Sequence, residues 1–499
     1  MTLPPDSMGQ RSVEGFLWSG SAVGAQAFGQ IAVLALLARF LTAVEFGVVS
    51  AALVVIGLVR ILTEAIVGPA VTQRPDLTVD HQKSAFALSL YIGLAAGVIM
   101  FVSAEGIASL FAIPELVPVV RALAPMFLLE SLGTVPAALL QRDLAFSRLS
   151  IVEMISFLVG YSAVGVILAL LGAGIWALVA AQLGFSVVKS GMLLVRRPHP
   201  KGLLLSRRAS REILYFGGGH MSARFLNYLA IQGDYFVVGR WMSAESLGFY
   251  GRAYQLALRP SVLLGIALDR VIFPVMATVQ GDLERLRRVY RRSVSLVASL
   301  TAPLSALGVI LGSELVLLVL GPGWEEVNVP FKVFAAGLLF RTGYKPSDSL
   351  AKATGIVYQR ARRQAVYAII VFPLALVGTR WGLPGVSYGV LAAIVINYLM
   401  MAQLSVRQIE MTWKDFATAH LRGFATAVMA AAVVLPTSAL MRSVGAGSFQ
   451  VLFGSLGTLV VLVGPAVVLW PRAVLGPDVL WFRDRVKSRA GRRTSPKSP

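Results

Sequence analysis

The chain sets cations inside stretches that hydrocarbon should surround. Arg224, Arg259, Arg341 and Lys345 each fall within segments of about 20 mostly apolar residues, the length that crosses a bilayer. A charge at that depth is costly and normally faces a bundle interior or a wet cavity. A guanidinium there donates bidentately to phosphate or carboxylate, whereas an ammonium acts as a point charge. Such a set suits the holding of an anion, with no bond made or broken. Arg252, Arg259 and Arg270 are separated by 7 and 18 residues. On one helix they fall within about 20° of one direction and run roughly 27 Å along the axis. Pro260 can bend that stripe, and Arg252 and Arg270 can instead snorkel to lipid phosphates. Arg341, Lys345, Asp348 and Lys352 also share one helical face, with Gly343 and Pro346 as potential breaks. Asp348 could simply neutralise Lys345 or Lys352.

The remaining polar groups in apolar segments are fewer. Arg60 and Glu64 are read as a structural i,i+4 ion pair. Glu130 has no local partner and either binds a proton or meets an arginine from another helix. Glu64, Glu130 and Asp348 are therefore the candidate carboxylates for ion coupling. Asn227 lies near Arg224, with Asp234 toward the end of the same segment. Gln26 and Gln30 share a face of the first segment. They suit either a hydrated cavity that accepts sugar hydroxyls or helix–helix hydrogen bonding. Catalytic chemistry finds little support. His81, His199, His220 and His420 are scattered, there is no cysteine, and no GxxxxGK[ST] phosphate loop is present. The expectation is a non-enzymatic chain with no cofactor and no metal.

The elements that must carry these groups follow from composition. Hydrophobic residues make up 56% of the 499 and charged residues 14%, against about 25% charged in soluble domains. The predicted fold is all-α and polytopic, with spans near 16–38, 46–68, 84–103, 117–139, 151–171, 174–195, 213–237, 246–272, 294–313, 331–351, 364–379, 384–405, 416–440 and 448–470. Twelve spans is the alternative count. With fourteen, thirty Lys and Arg fall on one side and four, Arg39, Arg240, Arg380 and Arg442, on the other. That asymmetry places both termini in the cytoplasm. It also accounts for the formal charge of +20 without nucleic acid. The polar start, MTLPPDSMGQRSVEG, lacks a signal-peptide pattern, so the first span is expected to stay. The connections on the outer side are short, too short for a catalytic domain.

The chain also resembles itself. ARFLTAVEFGVV at 38–49 aligns with GRWMSAESLGFY at 239–250, matching Arg39 to Arg240 and Gly47 to Gly248 at an offset of 201. Gly133 and Pro136 match Gly343 and Pro346, and Gly174 and Ala181 match Gly385 and Ala392, at offsets of 210 and 211. The expected organisation is a six-helix bundle over 1–205, a parallel repeat over 206–410, an accessory pair over 411–470 and a basic tail over 471–499. GxxxG pairs at Gly20/Gly24, Gly93/Gly97 and Gly308/Gly312 indicate close helix packing.

Several blocks carry a family resemblance. ARFLTAVEFGVVSAALVVIGLVRILTEAIVGPAVTQRPDLT at 38–78, PAALLQRDLAFSRLSIVEMISFLVG at 136–160, LLGAGIWALVAAQL at 170–183 and GDYFVVGRWMSAESLGFYGRAYQLALRP at 233–260 resemble the bacterial polysaccharide-export flippases. These belong to the multidrug/oligosaccharidyl-lipid/polysaccharide exporter superfamily. The resemblance covers roughly residues 10–410, with the blocks in order. It implies two six-helix bundles, a central cationic cavity and alternating access. The implied cargo is a polyprenyl-diphosphate-linked oligosaccharide for exopolysaccharide, capsule or O-antigen synthesis. The implied setting is the inner membrane, among membrane lipids and other polysaccharide assembly proteins. A small-molecule or drug antiporter of the same superfamily is the alternative, and a membrane-embedded polymerase a more distant one. No cavity arginine of a relative aligns to a particular residue, so the site candidates stay those read from depth: Arg224, Arg259, Arg341, Lys345, Gln26 and Gln30.

Overall fold

A computed structural model describes residues 29–469 except Pro75, with no strand among them. Side-chain surroundings within that range are left undescribed for Glu64, for 216–227 and for Arg270, among others. Ten helical runs are long and apolar enough to cross a membrane, and one, Val357–Gln408, covers two of the expected spans. The exceptions are instructive. The first expected span lies mostly outside the described residues. The seventh is a continuous 35-residue helix, Arg207–Trp241, whose charged first turns dilute its apolar character. The tenth is not one helix. It breaks into Asn328–Ala336, Leu338–Gly343 and Lys345–Ala353, which removes the premise of a single face from Arg341 to Lys352.

The chain forms two compact units, residues 1–251 with 375–386, and residues 252–374 with 387–499. The first unit contains a helical segment over 29–37, α1 (Ala43–Gln73), α2 (Val79–Val102), α3 (Met126–Arg142), α4 (Phe146–Leu170), α5 (Ile175–Arg196), α6 (Arg207–Trp241) and the opening turns of α7 (Ala244–Thr278). Helix α1 packs along α6 and α3, α2 along α3, and α4 along α5. Val67, Val71, Phe86, Leu139 and Ile213 join in one core cluster. Gly93 and Gly97 serve packing: a Cβ on Gly93 would stand 2.7 Å from the Phe127 carbonyl oxygen, and one on Gly97 3.0 Å from that of Ala124. Residues 156–163 of α4 form a π-helical stretch, where Ser162 donates five residues back to the Phe157 carbonyl at 2.8 Å.

Helices α1 and α7 begin alike and cross where they begin. Thr42 caps α1, its hydroxyl accepting from Glu45 N at 3.3 Å while Glu45 accepts from Thr42 N at 2.7 Å. Ser243 caps α7, accepting from Ser246 N at 3.0 Å. These caps halt the preceding helices and supply partners for otherwise unpaired amides. At the crossing a Cβ on Gly47 would overlap the Ala244 carbonyl oxygen, and one on Gly248 would overlap that of Ala43. The contact is reciprocal, with the same offset of 201 that relates the two sequence blocks.

The second unit holds the rest of α7, then α8 (Leu283–Ile310), α9 (Gly312–Leu320), α10 (Asn328–Ala336), α11 (Leu338–Gly343), α12 (Lys345–Ala353), most of α13 (Val357–Gly378) and of α14 (Gly382–Gln408), α15 (Leu421–Ser443) and α16 (Ser448–Leu469). Its core cluster includes Leu268, Met276, Tyr290, Val297, Tyr398, Ile409 and Phe416. Helix α15 lies along α8, so closely that a Cβ on Gly423 would come 2.5 Å from the Ala298 carbonyl. Arg442 clamps this arrangement, meeting Glu314 at 2.8 and 3.0 Å and the Ile310 carbonyl at 2.9 Å. Helix α16 packs in turn on α15 and α9.

Candidate functional site

Among the described residues, charged groups on the helices pair up in both units. In the first, Arg60 on α1 donates through Nε at 3.0 Å and Nη2 at 2.6 Å to both carboxylate oxygens of Glu130 on α3. Ser186 on α5 adds a bond to Glu130 Oε1 at 3.3 Å. Arg60 thus forms a bidentate interhelical pair, while its expected i,i+4 partner Glu64 has a side chain outside the described set. The planar fork matches a facing carboxylate with two parallel hydrogen bonds. Glu130 has the inter-helix arginine partner foreseen as one of its two possibilities.

In the second unit Lys345 and Arg341 have separate partners. Lys345, at the start of α12, donates to Asp269 on α7 at 2.8 Å, and its ammonium lies 5.5 Å from the Tyr344 ring centroid. Gly265 makes room, since a Cβ there would come within 3.1 Å of Lys345 Cε. Ser349 contributes a longer bond to Asp269 at 3.4 Å. Both partners stay partly open, at 23% and 31% side-chain exposure. Arg341 on α11 donates to the Tyr367 hydroxyl at 3.1 Å. Next to it Thr342 bonds Ser261 at 2.9 Å, tying α11 to α7 two residues beyond the half-buried Arg259. Asp348 is buried and held by Arg360 and by Lys352 at 2.6 Å. It neutralises Lys352, as one of the two readings had it, while Lys345 goes to Asp269.

The structure places the other candidates as follows. Gln30 is half-buried at the start of the described helix, and Gln26 lies outside the described residues. Arg224 sits on α6 and Glu64 on α1, with their side chains outside the described set. Asp234 is buried and accepts from the Tyr250 hydroxyl at 2.6 Å. Arg341, Lys345 and Asp348 fall within consecutive turns of one unit, yet each turns to a different partner. Asp269, Tyr367 and Ser186 escaped the sequence reading. Asp269 had a signal, a carboxylate inside the apolar run 262–276 beside Arg270. No group of three potential metal ligands occurs among the described residues.

One further cluster lies at the end of the first unit where α1, α2 and α6 meet. Glu212, one residue before the expected span, accepts from Arg74, from His81 at 3.2 Å when that ring nitrogen is protonated, and from Arg208 at 3.2 Å. The His81 bond first, then Arg208 and Arg74, hold its carboxyl at about 2, well below the ordinary value. The linker over 197–206 is strapped against α2, with Tyr91 donating to the Leu203 carbonyl at 2.9 Å and Ser206 N to Ser84 at 3.1 Å.

Comparison with known proteins gives this geometry its setting. Residues 36–329 match the family described as Polysaccharide biosynthesis protein. The lipopolysaccharide biosynthesis protein WzxC of Escherichia coli K12 is 25% identical over 401 residues, covering 79% of this chain and 80% of that one. The teichuronic acid biosynthesis protein TuaB of Bacillus subtilis is 26% identical, covering 90% and 95%. The succinoglycan biosynthesis transport protein ExoT of Rhizobium meliloti is 29% identical over 58% of each chain. Among solved structures, the lipid II flippase MurJ in an inward closed conformation shares the fold with a TM-score of 0.74 at 13% identity, covering 92% of this chain and 100% of that one. With more than half its length matched to that family, the chain belongs to the polysaccharide biosynthesis protein family.

Proposed function

We propose that this chain moves an anionic, polyprenyl-diphosphate-linked oligosaccharide across the bacterial inner membrane by alternating access, with both termini in the cytoplasm. The organisation proposed with it is two six-helix repeats, 1–205 and 206–410, an accessory pair over 411–470 and a basic tail. The observation that carries the reading is the Arg341–Lys345 stretch. Two cations stand on adjacent short helices, one on a phenol and one on a partly open carboxylate. A diphosphate and its sugars cannot cross hydrocarbon unaided, since each unsatisfied polar group costs several kcal/mol there. Fixed cations in a wet path lower that barrier while the lipid tail remains in the bilayer. A potential of about 100 mV, negative inside, favours outward movement of each negative charge by about 2.3 kcal/mol. The names of WzxC, TuaB and ExoT, all tied to polysaccharide or teichuronic acid synthesis, support the same cargo class. A drug antiporter would need carboxylates open to a cation, but Glu130 and Asp348 are held by arginines and Asp269 by Lys345.

The test is made in cells lacking the chain. Lipid-linked repeat units should accumulate on the inner leaflet, and the intact gene should clear them. No accumulation, or clearance by a gene carrying both Arg341→Ala and Lys345→Ala at normal abundance, overturns the reading.

A further inference from the structure

The N-terminal turns of α6 combine features that neither the ion-pair clusters nor the proposed transport path uses. Leu204 is 89% and Tyr215 90% exposed, with Leu203, Leu205 and Leu214 also exposed. Arg207 and Arg211 are exposed and have no salt bridge among the described residues, whereas Arg208 is committed to Glu212. Arg207, Arg211, Leu214 and Tyr215 recur at i, i+4, i+7 and i+8, which puts two cations above an apolar pair on one helix face. Leu205, Arg207, Ser210, Arg211, Leu214 and Tyr215 line a shallow, open recess of about 680 Å³. The Ser210 hydroxyl is buried against it and has no hydrogen-bond partner among the described residues. No side chain caps the first turn of α6, so its amide dipoles also point outward unneutralised.

We infer that this recess is a binding site for the phosphate headgroup of an anionic phospholipid of the surrounding bilayer. Arg207 and Arg211 would flank the phosphate, the Ser210 hydroxyl and the open helix end would donate to it, and Leu214 and Tyr215 would lie against the upper acyl chain. Charge decides the occupant. Two unpaired guanidiniums beside exposed leucines and a tyrosine match a headgroup above hydrocarbon, the arrangement that interfacial arginine and tyrosine adopt. A soluble anion would leave the exposed leucines without a partner. The inference stands apart from the transport reading, because binding at this surface needs no translocation.

The test uses the full chain, purified, stripped of lipid and titrated separately with phosphatidylglycerol, phosphatidylcholine and a polyprenyl diphosphate, with bound lipid counted by native mass spectrometry. The expected result is one phosphatidylglycerol retained in preference to phosphatidylcholine, weakening at high salt. Interfacial arginines contribute about fivefold each, so Arg207→Gln with Arg211→Gln should lower apparent affinity about 30-fold. The pair Arg207→Lys and Arg211→Lys should stay within about fivefold of the parent, because charge is kept. Should the double Gln chain lose its monodisperse profile, Arg207→Gln alone and the Lys pair carry the comparison. Equal retention of the two phospholipids, or affinity unmoved by loss of both guanidiniums, overturns the inference. So does tighter binding of polyprenyl diphosphate through the same arginines, which would make the recess a substrate port.

Discussion

Arg60 in the first unit and Lys345 in the second are held differently. In the first, Arg60 spends both arms of its fork on one carboxylate, and Ser186 closes the group. In the second, Lys345 reaches Asp269 through a single bond, with both partners still partly open. A bidentate pair is geometrically specific, and losing one member strands the other charge. A lysine held by one bond can turn to a different anion with little rearrangement, since an ammonium has no preferred plane. The first arrangement is a brace between helices. The second leaves a cation whose single bond can be exchanged, the property the proposed transport asks of Lys345.

Substitutions can sharpen or break that contrast. The largest effect is expected at Lys345: Lys345→Ala should reduce polymer export at least tenfold while membrane abundance stays near the parent. A variant that exports normally would place Lys345 in the same structural class as Arg60. Next, Glu130→Ala should destabilise the chain by about 2–3 kcal/mol, less than a fully buried pair because Arg60 is 35% exposed. Thermal unfolding in detergent measures this. Adding Arg60→Met to Glu130→Ala should recover part of the loss by removing the stranded charge, and a failure to recover would show that the pair is not the brace inferred. Lys345→Arg is expected to give an intermediate export rate, because the charge remains but Gly265 leaves close quarters for a larger head. The smallest effect concerns pH. Glu212 is depressed to about 2, so its stabilisation is complete above pH about 4.5 and is lost as pH falls toward 2. Glu212→Gln should flatten that acid limb, as followed by unfolding temperature against pH.

Much of the fold could be read from residues alone, because lipid solvation writes itself into composition. Ten runs satisfy length and apolarity, and Gly93, Gly97, Gly308 and Gly312 sit at helix contacts as their spacing implied. The broken tenth span was less legible. Gly343 and Pro346 marked a region of weakness, but the breaks fall at Gly337 and Tyr344, set by packing against α8 and α14. Partners were the least legible of all. Arg60 meets a carboxylate 70 residues away, and Lys345 one 76 residues away. Helical spacing ranks neighbours on one helix and is silent about which face of another helix arrives opposite. Asp269 is a case in point, since it lies off the helix face that joins Arg252, Arg259 and Arg270.

The reciprocal crossing of α1 and α7 has a consequence for ancestry. When residue i touches j and the counterpart of j touches the counterpart of i, the geometry is that of a two-fold homodimer written into one chain. Ala43 and Gly47 meet Ala244 and Gly248 in that manner. If the halves descend from one half-length protein, that protein joined to a second copy of itself through this contact, and any side chain heavier than hydrogen at the glycine struck its partner twice. Fusion halved that burden, since each position could then vary singly. That both positions are still glycine argues that backbone-to-backbone approach here, rather than the memory of symmetry, is what the present molecule requires.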